Sequence, residues 1–259
     1  MSKGYDPVRI ADKVKEYVTK VIGSTELRRY YRFRGGRWYG GIATGDVIGC
    51  NMKCKFCWSW RFKDRYNLGK LLTPEEAAEK LIKIAKANHY SQVRISGGEP
   101  TISRAHLLDL IKIVENNGFT FIVETNGILL GYDSNYAKEL ARFSNVVVRV
   151  SFKGVTADEF HMLTGAGREY FELQFKALEN LINAGLKPGY EVYAAAMISF
   201  SSERDIAKFV TRLAEISPEL VEVDWELVIM YPHVKKLLEL TGLKPKRWVV
   251  PSNIPKFMI

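Results

Sequence analysis

The three cysteines of this chain, Cys50, Cys54 and Cys57, fall within eight residues, in the stretch Cys-Asn-Met-Lys-Cys-Lys-Phe-Cys. An odd number of thiols this close together makes no disulfide framework. It makes a metal site. Three thiolates on one short loop can each hold one iron of a cubane iron–sulfur cluster, leaving the fourth iron open to a chelating small molecule. The plainer alternative is zinc, which takes four closed tetrahedral ligands. The fourth would have to be His89, His106, His161 or His233, each more than thirty residues from the cysteines. Spacing favours the cluster.

Such a loop needs a frame to present it. Residues 42–48 read as a strand, interrupted by Gly45, that feeds into the cysteines. Beyond them, strand-length apolar runs over 92–96, 119–124, 146–151, 191–198 and 220–227 alternate with amphipathic stretches. Helical spacing covers 71–87, 104–116, 135–143, 167–184 and 203–215, the first of these opening on a capping box of Thr73, Pro74 and Glu76. The connections are too long for hairpins, so the six βα steps predict parallel strands. A doubly wound sheet would carry a glycine-rich turn after its first strand; here that turn carries cysteines. The expectation is an α/β protein, a partial (β/α)6 TIM-type barrel with mostly parallel strands, its chemistry at the mouth where the strands end. Three regions follow. Residues 1–41 form an N-terminal helical and Arg/aromatic extension, with a helix over 6–22 capped by Asp6; 42–230 form the barrel; 231–259 form a tail packing on it.

Composition narrows the setting. With 47% hydrophobic and 26% charged residues over 259 positions, the chain is neither disordered nor collagen-like. No apolar run approaches the ~18 residues that span a bilayer, so no membrane partner is expected. The charged N-terminus lacks the apolar stretch of a signal peptide, which predicts a cytoplasmic protein. Lys and Arg total 38 against 29 Asp and Glu, a net charge of +9 that favours anionic partners. Residues 27–41 interleave Arg28, Arg29, Arg32, Arg34 and Arg37 with Tyr30, Tyr31, Phe33, Trp38 and Tyr39. Arginines on phosphates with bases stacked on aromatics would bind nucleic acid. The favoured reading is a half-buried strand whose aromatics pack on the barrel while its arginines face water. Those arginines could equally recognise an anionic small molecule.

The cysteine stretch, with Phe56 just before its last Cys, is similar to the signature of radical S-adenosylmethionine (SAM) enzymes. Four more matches lie at expected strand ends. Ser96-Gly97-Gly98-Glu99-Pro100 resembles the GGEP motif, Glu124-Thr125-Asn126-Gly127 a D/E-T-N-G segment, Ser151-Phe152-Lys153-Gly154 a D-x-K-G segment, and His161 to Gly165 an H-x-x-T-G stretch. The last three are most like the activating enzymes of glycyl-radical proteins, and the resemblance covers residues 42–230. It implies a [4Fe-4S] cluster on Cys50, Cys54 and Cys57, with SAM chelating the open iron. It implies SAM contacts from Phe56, Gly97, Gly98, Glu99, Glu124, Asn126, Ser151 and Lys153. The Gly-Gly pair lets backbone approach the amino-acid end of SAM, so a side chain at Gly98 is expected to block SAM and spare the cluster. Glu124 and Asn126 would meet ribose hydroxyls, and Lys153 the SAM carboxylate. Ser151 stands where the family usually has Asp, and His161 reads as a bystander on a helix. The implied activity is reductive cleavage of SAM to a 5′-deoxyadenosyl radical that abstracts hydrogen, with a protein glycyl Cα as first target. The alternatives are modification of RNA or an anionic metabolite, or a non-enzymatic zinc or iron–sulfur module. A reductant protein such as ferredoxin or flavodoxin would supply electrons, and the substrate would be a protein or small molecule, with nucleic acid not favoured. No cysteine remains for an auxiliary cluster or a thiyl relay.

Overall fold

The computed structural model describes residues 3–259. Helix α1 (Pro7–Val18) begins at Asp6, whose carboxylate accepts from the backbone N–H groups of Val8 and Arg9 at 2.8 and 3.2 Å. The helix expected to reach residue 22 stops four residues earlier. The β-branched Thr19, Val21 and Ile22 form strand β1 (Thr19–Ile22), which turns back antiparallel onto β2 (Thr25–Gly36). Strand β3 (Ile42–Val47) leads into the cysteine loop, and β4 (Lys70–Leu72) returns to pair with β2. The alternation then runs through α2 (Pro74–Ala87), β5 (Gln92–Ser96), α3 (Arg104–Asn116) and β6 (Thr120–Thr125). It continues with α4 (Ile128–Tyr132), α5 (Ser134–Leu140), β7 (Val146–Phe152), α6 (Ala157–Thr164), α7 (Phe171–Asn183) and β8 (Val192–Met197). The last elements are α8 (Glu203–Ile216), β9 (Asp224–Glu226), β10 (Val228–Ile229), α9 (Pro232–Thr241) and β11 (Trp248–Val249).

Strands β3, β5, β6, β7, β8 and β9 pair in that order and in parallel, and β2 and β1 extend the same sheet antiparallel beyond β3. The last strand does not return to the first, so this is an open, partial barrel. The boundary drawn at residue 41 therefore falls between two strands of one sheet. Two helices stand where the sequence reading placed them, α5 over most of 135–143 and α7 within 167–184. The short helices α4 and α6 precede them as additions, α4 parted from α5 where Asp133 caps the second. The capping box at the start of α2 is present, with Thr73 and Glu76 exchanging side-chain and backbone hydrogen bonds.

Strand alternation divides the sheet into two faces. Ile95, Val123, Val150 and Phe152 face the helices and are buried with Leu107 and Phe175. Their neighbours in sequence, Arg94, Glu124, Arg149 and Ser151, face the inside. The barrel interior is polar.

Candidate functional site

The loop after β3 is held from several sides. Gly49 donates its N–H to the Lys63 carbonyl at 2.7 Å and accepts from the Glu99 N–H at 2.9 Å. The Asn51 amide donates to the Pro7 carbonyl at 3.3 Å, and Lys55 N–H to the Leu163 carbonyl at 2.8 Å. Cys50, Cys54 and Cys57 consequently face one cavity of about 980 Å³, which every residue singled out in the sequence for cluster or SAM also lines. Each thiol is half-buried. Desolvation pushes all three thiols up, Cys54 to about 12, against the opposing pull of Lys63 and Lys153. Thiols so placed ionise only against strong local positive charge, which an iron–sulfur cluster supplies. Among the described residues, no three His, Cys, Asp or Glu side chains converge on one metal-ion position. His233 lines the cavity, but its Nε2 donates to the Trp58 carbonyl at 2.7 Å. His161 lies outside the lining and bonds the Ala166 carbonyl through Nδ1. The donor set fits a cluster on three thiolates.

The Gly-Gly turn follows β5. Gly97 takes φ +81°, in the left-handed region. Gly98 has a further reason to be glycine. A Cβ there would stand 2.3 Å from the Gly49 carbonyl oxygen, the group immediately before Cys50. Close approach of its own chain forbids a side chain at this position, and the clash falls on the cysteine loop.

Glu99 is buried, and its carboxylate accepts from Thr101 N–H and Oγ1, Thr125 Oγ1 and Asn126 N–H at 2.7–3.2 Å. Asn126 donates from its amide to Asn51 Oδ1 at 2.7 Å and accepts from Ile128 N–H at 3.1 Å. These two side chains tie the ends of β5 and β6 to the cysteine loop. Glu124 accepts on Oε1 from Arg94 at 2.5 Å and from the Tyr39 hydroxyl. Burial works against its charge, but Arg94 and Arg149 hold its carboxyl below the usual range. Ser151 accepts from Arg149 at 2.7 Å, and Lys153 Nζ lies 3.8 Å from Glu226. Phe56 stands against Phe200, with ring centroids 6.1 Å apart.

Sequence reading missed the charged ladder below this level. Arg149 pairs with Asp224 at 2.6 Å and with Glu226 at 2.8 Å. Burial alone would raise Glu226, yet Lys153 and then Arg149 hold its carboxyl at about 2. A usable signal existed, because Arg94 and Arg149 are the single charges of their strands β5 and β7. At a spacing of two, Arg149, Ser151 and Lys153 must share a face.

The Arg/aromatic segment is β2, as favoured, but its arginines do not simply face water. Arg28 is fully buried and donates to the carbonyls of Val18 and Gly49, both at 3.4 Å. Arg29 reaches the Gly69 carbonyl at 3.3 Å, Arg32 and Arg34 line the cavity, and Arg37 is exposed. The register against β3 shifts between Tyr30 and Arg32. This β-bulge exchanges the two faces of the strand, so Tyr30 stacks on Phe33 at 5.1 Å on the helix side and Arg32 and Arg34 turn inward.

An open α/β barrel with three thiols and a Gly-Gly turn at its strand ends is the layout of a cofactor enzyme working at the barrel mouth. The chain matches the radical SAM superfamily over residues 47–213 and belongs to it. It is a radical SAM enzyme, with a [4Fe-4S] cluster and SAM as cofactors. It is 31% identical over 137 residues to the pyruvate formate-lyase-activating enzyme of Clostridium pasteurianum, covering 51% of this chain and 54% of that one. It is 26% identical over 185 residues to a probable GTP 3′,8-cyclase of Saccharolobus islandicus, covering 71% and 54%. The chain thus spans about half the length of these curated relatives. The structure of TYW1 with a lysine-pyruvate adduct bound matches with a TM-score of 0.53 at 20% identity, covering 92% of this chain and 89% of that one. Streptococcus suis SuiB bound to the precursor peptide SuiA gives 0.56 at 16% identity, covering 81% and 48%. At these identities the likeness is one of fold. No helix among the described residues is long and apolar enough to cross a membrane.

Proposed function

We propose that Cys50, Cys54 and Cys57 hold the cluster, and that the surrounding strand ends hold SAM above a substrate lodged in the barrel. One observation carries this reading: the thiols of the β3 loop, the turn after β5, the Asn126 turn after β6 and Lys153 after β7 border a single cavity. When bound, the cofactors supply one-electron cleavage of SAM and the hydrogen-abstracting radical that follows. The protein supplies positioning. Gly97 and Phe56 lie against the SAM-binding region, and Lys153, kept charged by Glu226, pairs with the SAM carboxylate. Glu99 and Asn126 act through the backbone turns they brace. Ser151 and Glu124 join the ladder with Arg149 and Arg94 that forms the lower wall. A reductant protein such as ferredoxin or flavodoxin is the electron source this chemistry requires.

The charged lower wall supports a small polar substrate first. A protein glycyl Cα is the second reading, supported by the 31% identity to pyruvate formate-lyase-activating enzyme over half the chain. Anaerobic reconstitution tests the assignment. The wild-type chain should take up about four iron and form 5′-deoxyadenosine from SAM under a strong reductant. Cys54→Ala should lose both. A full cluster in that variant, or a colourless zinc protein from the wild type, overturns the reading.

A further inference from the structure

Arg32 and Arg34 are cavity charges that the cofactor assignment leaves without a role. They lie two residues apart on one face of β2, with Arg32 in register opposite Asp46 of β3. Asp46 is fully buried. Its carboxylate accepts from Arg32 Nε at 2.6 Å, Arg34 Nε at 2.9 Å and Arg34 Nη2 at 3.2 Å. One carboxylate between two guanidinium groups leaves a net positive charge. It also grips both groups mainly by their Nε edges, so Nη donors remain for the cavity that both residues line. Aromatic rings steady the pair, with Arg34 6.0 Å from the Trp58 ring centroid and Arg32 5.7 Å from that of Tyr31. The other cations of the cavity are balanced: Arg94 by Glu124, Arg149 by Asp224 and Glu226, Lys153 by Glu226, and Lys63 by Asp64. Among the cations that line the cavity, only Arg32 and Arg34 share a single carboxylate between two guanidinium groups.

Guanidinium planes fixed in place with outward donors match the planar, two-pronged demands of a carboxylate or phosphate group. We propose that Arg32 and Arg34, braced by Asp46, form an oxyanion clamp that binds a carboxylate or phosphate group of a small-molecule substrate. The role as a substrate clamp rests on the placement of the cluster at the cysteines and of SAM at the Gly-Gly turn. It directs the substrate's charged end to the β2 side of the barrel and the rest toward the strand ends.

The test uses the reconstituted protein with SAM bound, titrated calorimetrically with inorganic phosphate and, separately, with succinate. Saturable binding of either anion is expected, and whichever binds tighter identifies the group. Arg32→Gln and Arg34→Gln should each weaken it by about tenfold or more, the scale of a charge-assisted hydrogen bond. Arg34→Lys keeps the charge without the fork and should weaken it as well, which guards against misfolding of the Gln variant. Arg37→Gln, outside the cavity, should bind as wild type. Iron content and SAM affinity should stay unchanged in all four. Three results overturn the clamp: neither anion binds the wild type; Arg34→Gln and Arg34→Lys bind as tightly as wild type; or SAM affinity falls in step with anion binding, which would give the clamp to SAM itself. Iron content and SAM affinity of the wild type report separately on the cofactor assignment, so its failure is told apart from failure of the clamp.

Discussion

Gly98→Ala adds one methyl group where the structure has a carbonyl oxygen. The new Cβ would lie 2.3 Å from the Gly49 oxygen and 3.1 Å from that of Val47. Ordinary contact begins near 3.4 Å, so two stretches of backbone must part by about 1 Å. No left-handed φ is involved at this position, so the clash acts alone. Overpacking of this kind costs about 1–3 kcal/mol. The Glu99 N–H to Gly49 bond, 2.9 Å long, spans the same contact, and its loss adds about 1 kcal/mol. Gly49 directly precedes Cys50, so the displacement passes to the first thiol. A misplacement of about 1 Å at a reacting site lowers rates on the order of a hundredfold. The assay compares urea midpoints, iron per chain after reconstitution, and 5′-deoxyadenosine formation. Gly98→Ala should lose stability and iron together. Gly97→Ala is the control. It meets backbone strain of about 1–2 kcal/mol, but its nearest contacts are at 3.2 Å, and it should keep its iron. Wild-type iron content and stability in Gly98→Ala would refute the packing argument.

Two further outcomes test the support around the loop. His106 is buried, with Nδ1 2.9 Å from the Glu26 carbonyl and Nε2 2.9 Å from the Tyr30 hydroxyl; burial pushes it from 6.5 down to about 4. Because its folded value lies below its unfolded one, its stabilisation is complete above pH 6.5 and is lost as pH falls toward 4, about 3 kcal/mol in all. Urea unfolding of the metal-free chain should show that slope, flattened in His106→Gln; an unchanged slope refutes the assignment. Arg28→Ala removes a fully buried side chain and should destabilise by about 3 kcal/mol or more, whereas Arg32→Ala, 46% exposed at its side chain, should cost about 1 kcal/mol or less. Equal losses in urea would contradict the burial of Arg28.

The sequence by itself determined what neighbouring residues determine. The cysteine spacing, the capping box at Thr73, the strand over 92–96 and the helix over 104–116 are written in contiguous residues, and each stands in the structure at those positions. The six parallel strands followed from the period of the alternation and the length of the connections. Even the end of α1 is legible in the β-branched Thr19, Val21 and Ile22, whose strand character outweighs the helical spacing of the preceding valines. Tertiary structure decided which way the charges point and what the motif residues touch. Glu99 and Asn126, singled out along the chain as ligand contacts, also bond Thr125 and Asn51, 26 and 75 positions away. Arg149 finds Asp224 across 75 positions. One extra residue in β2 turned Arg32 and Arg34 from the helix side, which Tyr30 faces, to the cavity. Strand period and ligand spacing are local, so they survive reading along the chain. The sign of a face after a bulge, and the partner of a buried charge, exist only once distant strands have been brought into register.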